Sequence, residues 1–242
     1  MDFAVIVPLA NEQETFETFT NRLKNILDSL AAGHVYIVID RVSKDDTLKL
    51  SRELSDRDKR FSTIWAPENR NVVDAYTRGM REAYAGGYEA VIEMDGGLSH
   101  DPAEIPKFLE ALAEDNQCVF GSRYIQGGRN ISPPMKRAFL SQAGTFLSNL
   151  LLGTKLMDMT SGFEAFDRDV VEKIITFPLK SRAHFYQTEI RYLLRHSRYK
   201  EIPIVYRSPS DSASWKAVRN SVFCLCYYTF LRLVGCAPSL VA

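Results

Sequence analysis

Phe3–Ile39 reads FAVIVPLANEQETFETFTNRLKNILDSLAAGHVYIVI, and this stretch decides the fold. Phe3 to Val7 is an unbroken apolar run closed by Pro8, the pattern of a strand buried on both faces. From Phe16 onward Phe19, Leu23, Ile26, Leu27 and Leu30 recur at helical spacing, and Gly33 ends the helix. Val35 to Ile39 is a second apolar run rich in β-branched residues. Two such strands joined by a helix predict a parallel pair, because the crossover returns the chain to the same edge of the sheet.

The alternation continues outward. A helix is expected from about Asp46 to Leu54, a short strand near Thr63 to Trp65, a helix from Val72 to Ala85 and a strand from Ala90 to Met94. Asp101-Pro-Ala-Glu104 opens a further helix, with an N-cap carboxylate, proline at the first position and an acid at the third. Cys118 to Gly121 reads as the next strand. The expectation is a doubly wound, Rossmann-like α/β unit whose mostly parallel central sheet is flanked by helices.

Beyond Tyr124 the character changes. A turn-rich loop from Gln126 to Pro134 precedes a long helical pattern from Lys136 to Leu152. Helices follow at Arg168 to Ile175 and Tyr186 to His196, with a strand at Ile202 to Tyr206. The segment from Ser214 to Val234 begins amphipathic through Trp215, Val218, Val222 and Leu225, then turns apolar nearly all round. No repeat or flexible linker intervenes. One domain over residues 1–212 with a helical appendage over 213–242 is expected.

Composition bounds the function. The 242 residues are 45% hydrophobic and 25% charged, with thirty basic and thirty acidic residues. That balance leaves no global field for nucleic acid. Cys118, Cys224, Cys226 and Cys236 lack zinc-type or thioredoxin-type spacing, so reduced thiols are expected. No basic leader or cleavage site follows Met1-Asp2, and the apolar run from Val222 to Leu231 falls short of the roughly 20 residues of a spanning helix. The expectation is a cytoplasmic protein that does not itself cross a membrane.

Ligands of open α/β sheets gather at the carboxyl ends of the strands. The first strand ends in Pro8-Leu-Ala-Asn11-Glu12, the second in Asp40-Arg-Val-Ser-Lys-Asp-Asp-Thr47, and a third in Asp95-Gly-Gly97. Glu12, Asp40 and Asp95 are thus placed to line one crevice suited to a sugar nucleotide and its metal. Asp45, Asp46 and Thr47 read equally as helix-start residues, and His100 as a hydrogen-bonded loop histidine.

These motifs carry a resemblance. Val7-Pro-Leu-Ala-Asn-Glu12 is similar to V-P-x-x-N-E, Asp40 to Thr47 to D-D-G-S-x-D-G-T, and Ala75 to Ala83 to A-x-x-x-G-x-x-x-A. Met94 to Pro102 is similar to D-A-D-L-Q-H-x-P, and Gly121-Ser-Arg-Tyr124 to G-S-R-Y. Arg137, Ser141, Asn149, Asp158 to Phe163, Tyr186 to Glu189 and Glu201 to Ile204 follow in register. Over about residues 3 to 215 the chain resembles the family 2 glycosyltransferases of GT-A fold, in their dolichyl- or polyprenyl-phosphate mannosyltransferase-like branch.

The resemblance implies an inverting glycosyltransferase that moves a sugar from a nucleotide-diphosphate-sugar to an acceptor such as polyprenyl phosphate or a saccharide. It implies that Pro8, Asn11, Glu12 and Asp40 border the nucleoside and that Asp95 approaches the diphosphate and a divalent Mg²⁺ or Mn²⁺. Arg123, Arg137, Ser141 and Gln187 match positions that face the donor diphosphate or acceptor phosphate, for which a guanidinium fork is suited. Glu189 is implied either in acceptor activation, a role Asp158 could share, or in orienting the site.

The departures are specific. Gly97 stands in the place of the family's second metal-proximal aspartate, Ser99 in that of a glutamine, and Arg41 in that of the second acid of D-D-G-S. Pro209 and Ser212 to Trp215 replace the arginine and G-x-S-K near the acceptor end. A non-catalytic sugar-nucleotide-binding or scaffolding subunit is the alternative these losses suggest. Trp215 to Val234 could lie along a membrane surface, with Lys216, Arg219 and Arg232 near headgroups, or pack on the domain or on a membrane-protein partner.

Overall fold

The computed structural model describes residues 1–131, 135–207 and 215–241; the side chains of 135–137 lie outside the described set. The chain runs β1 (Phe3–Leu9), α1 (Gln13–Leu30), β2 (His34–Ile39), α2 (Thr47–Arg57), β3 (Phe61–Trp65), α3 (Val72–Ala85) and β4 (Ala90–Glu93). A short 3₁₀ turn, Pro102–Glu104, leads into α4 (Ile105–Ala113). There follow β5 (Cys118–Ser122), β6 (Arg129–Ile131), α5 (Met135–Leu152), β7 (Glu164–Asp167), α6 (Arg168–Thr176) and α7 (Phe185–Leu193). β8 (Tyr199–Pro203), β9 (Val205–Arg207) and α8 (Trp215–Leu233) complete it.

Seven strands form the central sheet in the order β3-β2-β1-β4-β7-β5-β8. β1 pairs in parallel with β2 and β4, β2 with β3, and β5 with β8. Alternate residues of β1 serve opposite layers. Phe3, Val5 and Val7 pack with Phe19 and Leu23 of α1 and Phe108 of α4, while Ala4 and Ile6 pack with Tyr76 and Met80 of α3. Both faces are buried, which is why β1 and β2 read as continuous apolar runs.

Pro8 does not end β1, which continues to Leu9. In a parallel ladder a residue's N–H and C=O point the same way, and residue i+2 repeats that direction. The Ile6 carbonyl accepts from Met94 N–H, so Pro8 points to the same side, beyond the end of β4. The missing N–H costs no ladder bond there.

β7 was not legible as a strand, and it reverses the sheet locally. It lies antiparallel between β4 and β5, with Glu164 opposite Glu93. The segment Asp158 to Phe163 therefore enters the sheet from the edge at which β1, β2, β4 and β5 end. The strand expected over Ile202 to Tyr206 is two: β8 follows β5 to Pro203, and β9 then pairs with β6 in a separate two-stranded sheet.

α5 and α8 pack against each other, and both turn large apolar side chains outward. On α5, Thr145 and Ser148 are buried, whereas Phe139, Phe146 and Leu150 are 74%, 66% and 62% exposed. On α8, Cys224 and Tyr228 are buried with Tyr192 and Leu193, whereas Phe223, Phe230 and Leu233 face outward. Among the described residues no helix is long and apolar enough to cross a membrane.

Candidate active site

The tips of β1 and β2 are laced together by side chains. Asn11, at φ 57°, donates from Nδ2 to the Val42 carbonyl and accepts from Lys44 N–H, at 3.2 and 2.8 Å. Asp40 Oδ1 accepts from Val42 N–H at 2.8 Å, and Glu12 N–H donates to Thr47 Oγ1 at 2.8 Å. Asp45 accepts from Gln13 N–H, Thr47 N–H and the Ser43 hydroxyl. Burial raises its carboxyl, but these bonds together outweigh it and hold the carboxyl below the usual range. Asn11 and Asp45 thereby shape the loop from which Glu12 and Asp40 project.

Asp95 lies two residues past the end of β4 and is held from two sides. Its backbone N–H donates to His100 Nδ1 at 2.9 Å, and its Oδ1 accepts the Tyr76 hydroxyl at 2.7 Å. His100 is buried against Phe163 and Tyr206, and burial lowers its pKa to about 4. Its imidazole is therefore neutral, with the proton on Nε2 and the acceptor nitrogen turned to Asp95. The Asp95 side chain is 40% exposed. Gly162 is what lets it meet α7: a Cβ there would lie 3.2 Å from Gln187 Nε2 and 3.3 Å from Asp95 Oδ1.

Gly97 has φ +65°, and a Cβ there would fall 2.6 and 2.7 Å from the two carboxylate oxygens of Glu12. The Glu12 side chain thus stands where a side chain at position 97 would be. It brings a second carboxylate to the loop that begins at Asp95. Two hard oxygen donors of this kind fit Mg²⁺ or Mn²⁺, which takes one or two protein carboxylates and completes its shell with water and phosphate. Among the described residues no group of three or more acidic, histidine or cysteine side chains forms a metal cage.

A second polar centre lies just past β5. Arg123 is buried, and its Nε and Nη2 donate to Asp158 Oδ2 and Oδ1 at 2.7 and 2.8 Å. Nη2 also reaches Ser141 Oγ on α5 at 2.9 Å and Thr160 Oγ1 at 2.5 Å. Burial alone would raise the Asp158 carboxyl, but Arg123 holds it below the ordinary carboxylate range. Asp158 is thus the ion-pair partner of Arg123. The Arg137 side chain falls outside the described residues, as do Pro209 and Ser212 to Ser214.

Glu189 is fully enclosed, unlike the residues above. It accepts from the backbone N–H groups of Lys180 and Ser181 at 2.7 and 2.8 Å and from the Tyr228 hydroxyl of α8. Burial raises its pKa. With three donors around it, Glu189 fastens α8 to α7. Gln187, two residues earlier, takes the other side of the helix.

Tyr76 and Thr160 were not singled out from sequence. Tyr76 belongs to the buried stripe Tyr76, Gly79, Met80 and Ala83 of α3, and its hydroxyl escapes that stripe at the strand tip. Beneath Asp95 lies a buried ionic group. Glu93 accepts the Tyr186 hydroxyl at 2.8 Å, and Tyr186 stacks on Tyr76. Glu164 lies 2.9 Å from Arg191 Nη1, both wholly buried and outside hydrogen-bond alignment. Burial and the neighbouring Glu164 charge push the Glu93 carboxyl well up.

The sequence profile of glycosyl transferase family 2 matches residues 4–175. The polyprenol monophosphomannose synthase of Mycolicibacterium smegmatis is 30% identical over 206 residues, covering 84% of this chain and 76% of that one. The undecaprenyl-phosphate mannosyltransferase of Micrococcus luteus is 28% identical over 208 residues, 85% of this chain and 84% of that one. In three dimensions the chain is similar to glucosyl-3-phosphoglycerate synthase from Mycobacterium tuberculosis, solved with Mn²⁺, UDP-glucose and phosphoglyceric acid. The TM-score is 0.66 at 19% identity, over 98% of this chain and 81% of that chain. The sheet order, the strand-tip acids and these matches agree: this chain is a glycosyltransferase of GT-A fold and belongs to glycosyl transferase family 2.

Proposed function

We propose that the protein transfers a hexose from a nucleotide-diphosphate-sugar to the phosphate of a polyprenyl lipid, with inversion at the anomeric carbon. The observation that carries the lipid acceptor is the orientation of α5. Its Ser141 hydroxyl meets the Arg123 guanidinium, while Phe139, Phe146 and Leu150 of the same helix face outward. A phosphate-binding cation and an apolar surface are thus joined through one helix, which suits a lipid phosphate better than a saccharide.

In this reading Glu12 and Asp40 border the nucleoside, Asp95 and Gln187 approach the donor diphosphate, and Arg123 with Ser141 receives the acceptor phosphate. Its oxygen forms the new bond to the anomeric carbon as the bond to the diphosphate breaks. The attacking oxygen is already anionic and needs no general base. The enclosure of Glu189 and the pairing of Asp158 accord with that chemistry. Asp95 is the residue that would hold a divalent cation. When bound, such an ion offsets charge on the departing diphosphate. The outward faces of α5 and α8 would rest on a bilayer, making the protein peripheral at a cytoplasmic membrane face.

The test is a side-by-side acceptor assay with a panel of GDP-, UDP- and dTDP-sugars. Transfer to polyprenyl phosphate and none to free saccharides is expected. Transfer to saccharides alone would remove the lipid assignment, and donor binding without transfer to any acceptor would make the protein a non-catalytic binding subunit.

A further inference from the structure

A cavity of about 390 Å³ opens where α5, α7 and α8 end together, lined by Gly153, Lys155, Tyr192, Arg195, His196 and Arg232 among others. None of its lining residues is acidic. Arg232 Nη1 donates to the Leu151 carbonyl at 2.9 Å, and Arg195 Nη1 to the carbonyls of Tyr192 and Pro238 at 2.9 and 2.7 Å. Capping of helix ends accounts for one nitrogen of each guanidinium. Neither has a carboxylate partner among the described residues.

Three further observations bear on these cations. Arg195 and Arg232 line the same cavity, and burial, with a smaller contribution from the Arg232 charge, lowers the Arg195 pKa against an opposing effect of Tyr192. Tyr192, wholly buried in the cavity wall beneath Arg195, has a hydroxyl without a hydrogen-bond partner among the described residues. The Arg232 guanidinium also lies against Gly153, where a Cβ would come within 2.5 Å of Nη2, so any side chain at position 153 would push it away.

The surroundings select the source of the anion. Residues 132–157 and 212–242 hold six lysines and arginines and no acidic residue. Leu233 and Val234, next to Arg232, are 79% and 50% exposed, at the end of the outward apolar face of α8. We propose that the cavity seats the phosphate of an anionic phospholipid headgroup between Arg195 and Arg232, while the α5 and α8 faces lie on the bilayer. This anchor rests on the membrane reading above and is separate from the strand-tip site. A guanidinium pair is suited to phosphate oxygens.

The experiment is co-flotation of the full chain with vesicles of phosphatidylcholine alone and of phosphatidylcholine mixed with phosphatidylglycerol. Wild type, R195Q/R232Q and the control K216Q/R219Q, which removes equal charge elsewhere on α8, are compared. Two basic residues near an anionic surface are worth roughly thirtyfold in partitioning. The pocket variant is expected to lose at least that on the mixed vesicles, more than the control, and nothing on phosphatidylcholine. Equal loss in both double variants would overturn the site while leaving the membrane reading intact. Absence of wild-type binding to either vesicle would overturn both. Stabilisation by inorganic phosphate that needs Arg195 and Arg232, with unchanged flotation, would overturn the lipid source. Should R195Q/R232Q not fold, the exposed Lys155→Glu tests the same cavity with the same expected loss, and unchanged flotation of it would count against the site.

Discussion

The carboxylate of Glu12 fills the space over Gly97, within 2.6 Å of where a Cβ would stand. A family position that loses its acid thus gains a carboxylate from another strand tip. Restoring an acid should harm the fold. Gly97→Asp places a side chain at φ +65° and against Glu12, and is expected to cost about 1–3 kcal/mol. Glu12→Ala in the same chain should recover much of that. Thermal melts of the single and double variants check the coupling, and additive effects would show that the two positions do not compete.

Tyr76 fixes the orientation of Asp95. Tyr76→Phe removes one hydrogen bond to a part-exposed carboxylate, for which about 1 kcal/mol of stability is expected. The larger effect should fall on kcat, by roughly tenfold, with KM for the donor changing less. A change in KM alone would show that the hydroxyl serves donor binding and not orientation.

Glu93 and Glu164 face each other across β4 and β7, yet only one is needed as an anion beside Arg191. Glu93→Gln mimics the protonated form and should cost less than about 1 kcal/mol. Glu164→Gln leaves the Arg191 charge buried without a partner and should cost about 3–5 kcal/mol. Denaturant unfolding of the two variants gives the ranking. Equal losses would mean that both carboxyls are ionised in the native core.

His100 makes the protein acid-sensitive. Burial lowers its folded pKa from 6.5 to about 4, so the unfolded chain binds the extra proton first. The stabilisation is complete above pH 6.5 and is lost as pH falls toward 4, by up to about 3 kcal/mol. The stability difference between wild type and His100→Gln should shrink over that window. A difference independent of pH would show that His100 titrates normally.

The opening β-α-β unit was legible because both faces of β1 and β2 are buried and their runs are continuous. β7 was not, since Glu164-Ala-Phe-Asp167 holds two acids in four residues. What makes Glu164 tolerable is Arg191, far along the chain and visible only once α7 docks. The same distance hid the site's second centre: Arg123 was identified from its motif, but its pairing with Asp158 joins residues 35 apart. α5 was recognisable as a helix, whereas which side faces inward depends on where Arg123 and Met159 offer partners to Ser141 and Thr145. The bond of Glu189 to Tyr228, 39 residues on, was hidden in the same way.

Asp95, placed at the exit of β4 by Tyr76 and His100, is proposed to serve sugar transfer to a lipid phosphate. The direct measurement is the rate of labelled-sugar transfer from the nucleotide donor to polyprenyl phosphate by wild type and by Asp95→Ala, with melting curves to verify the fold. Turnover in wild type and a loss of at least about 10²-fold in the variant is the expected result. Full activity in Asp95→Ala, or no transfer by wild type with any donor, would contradict it.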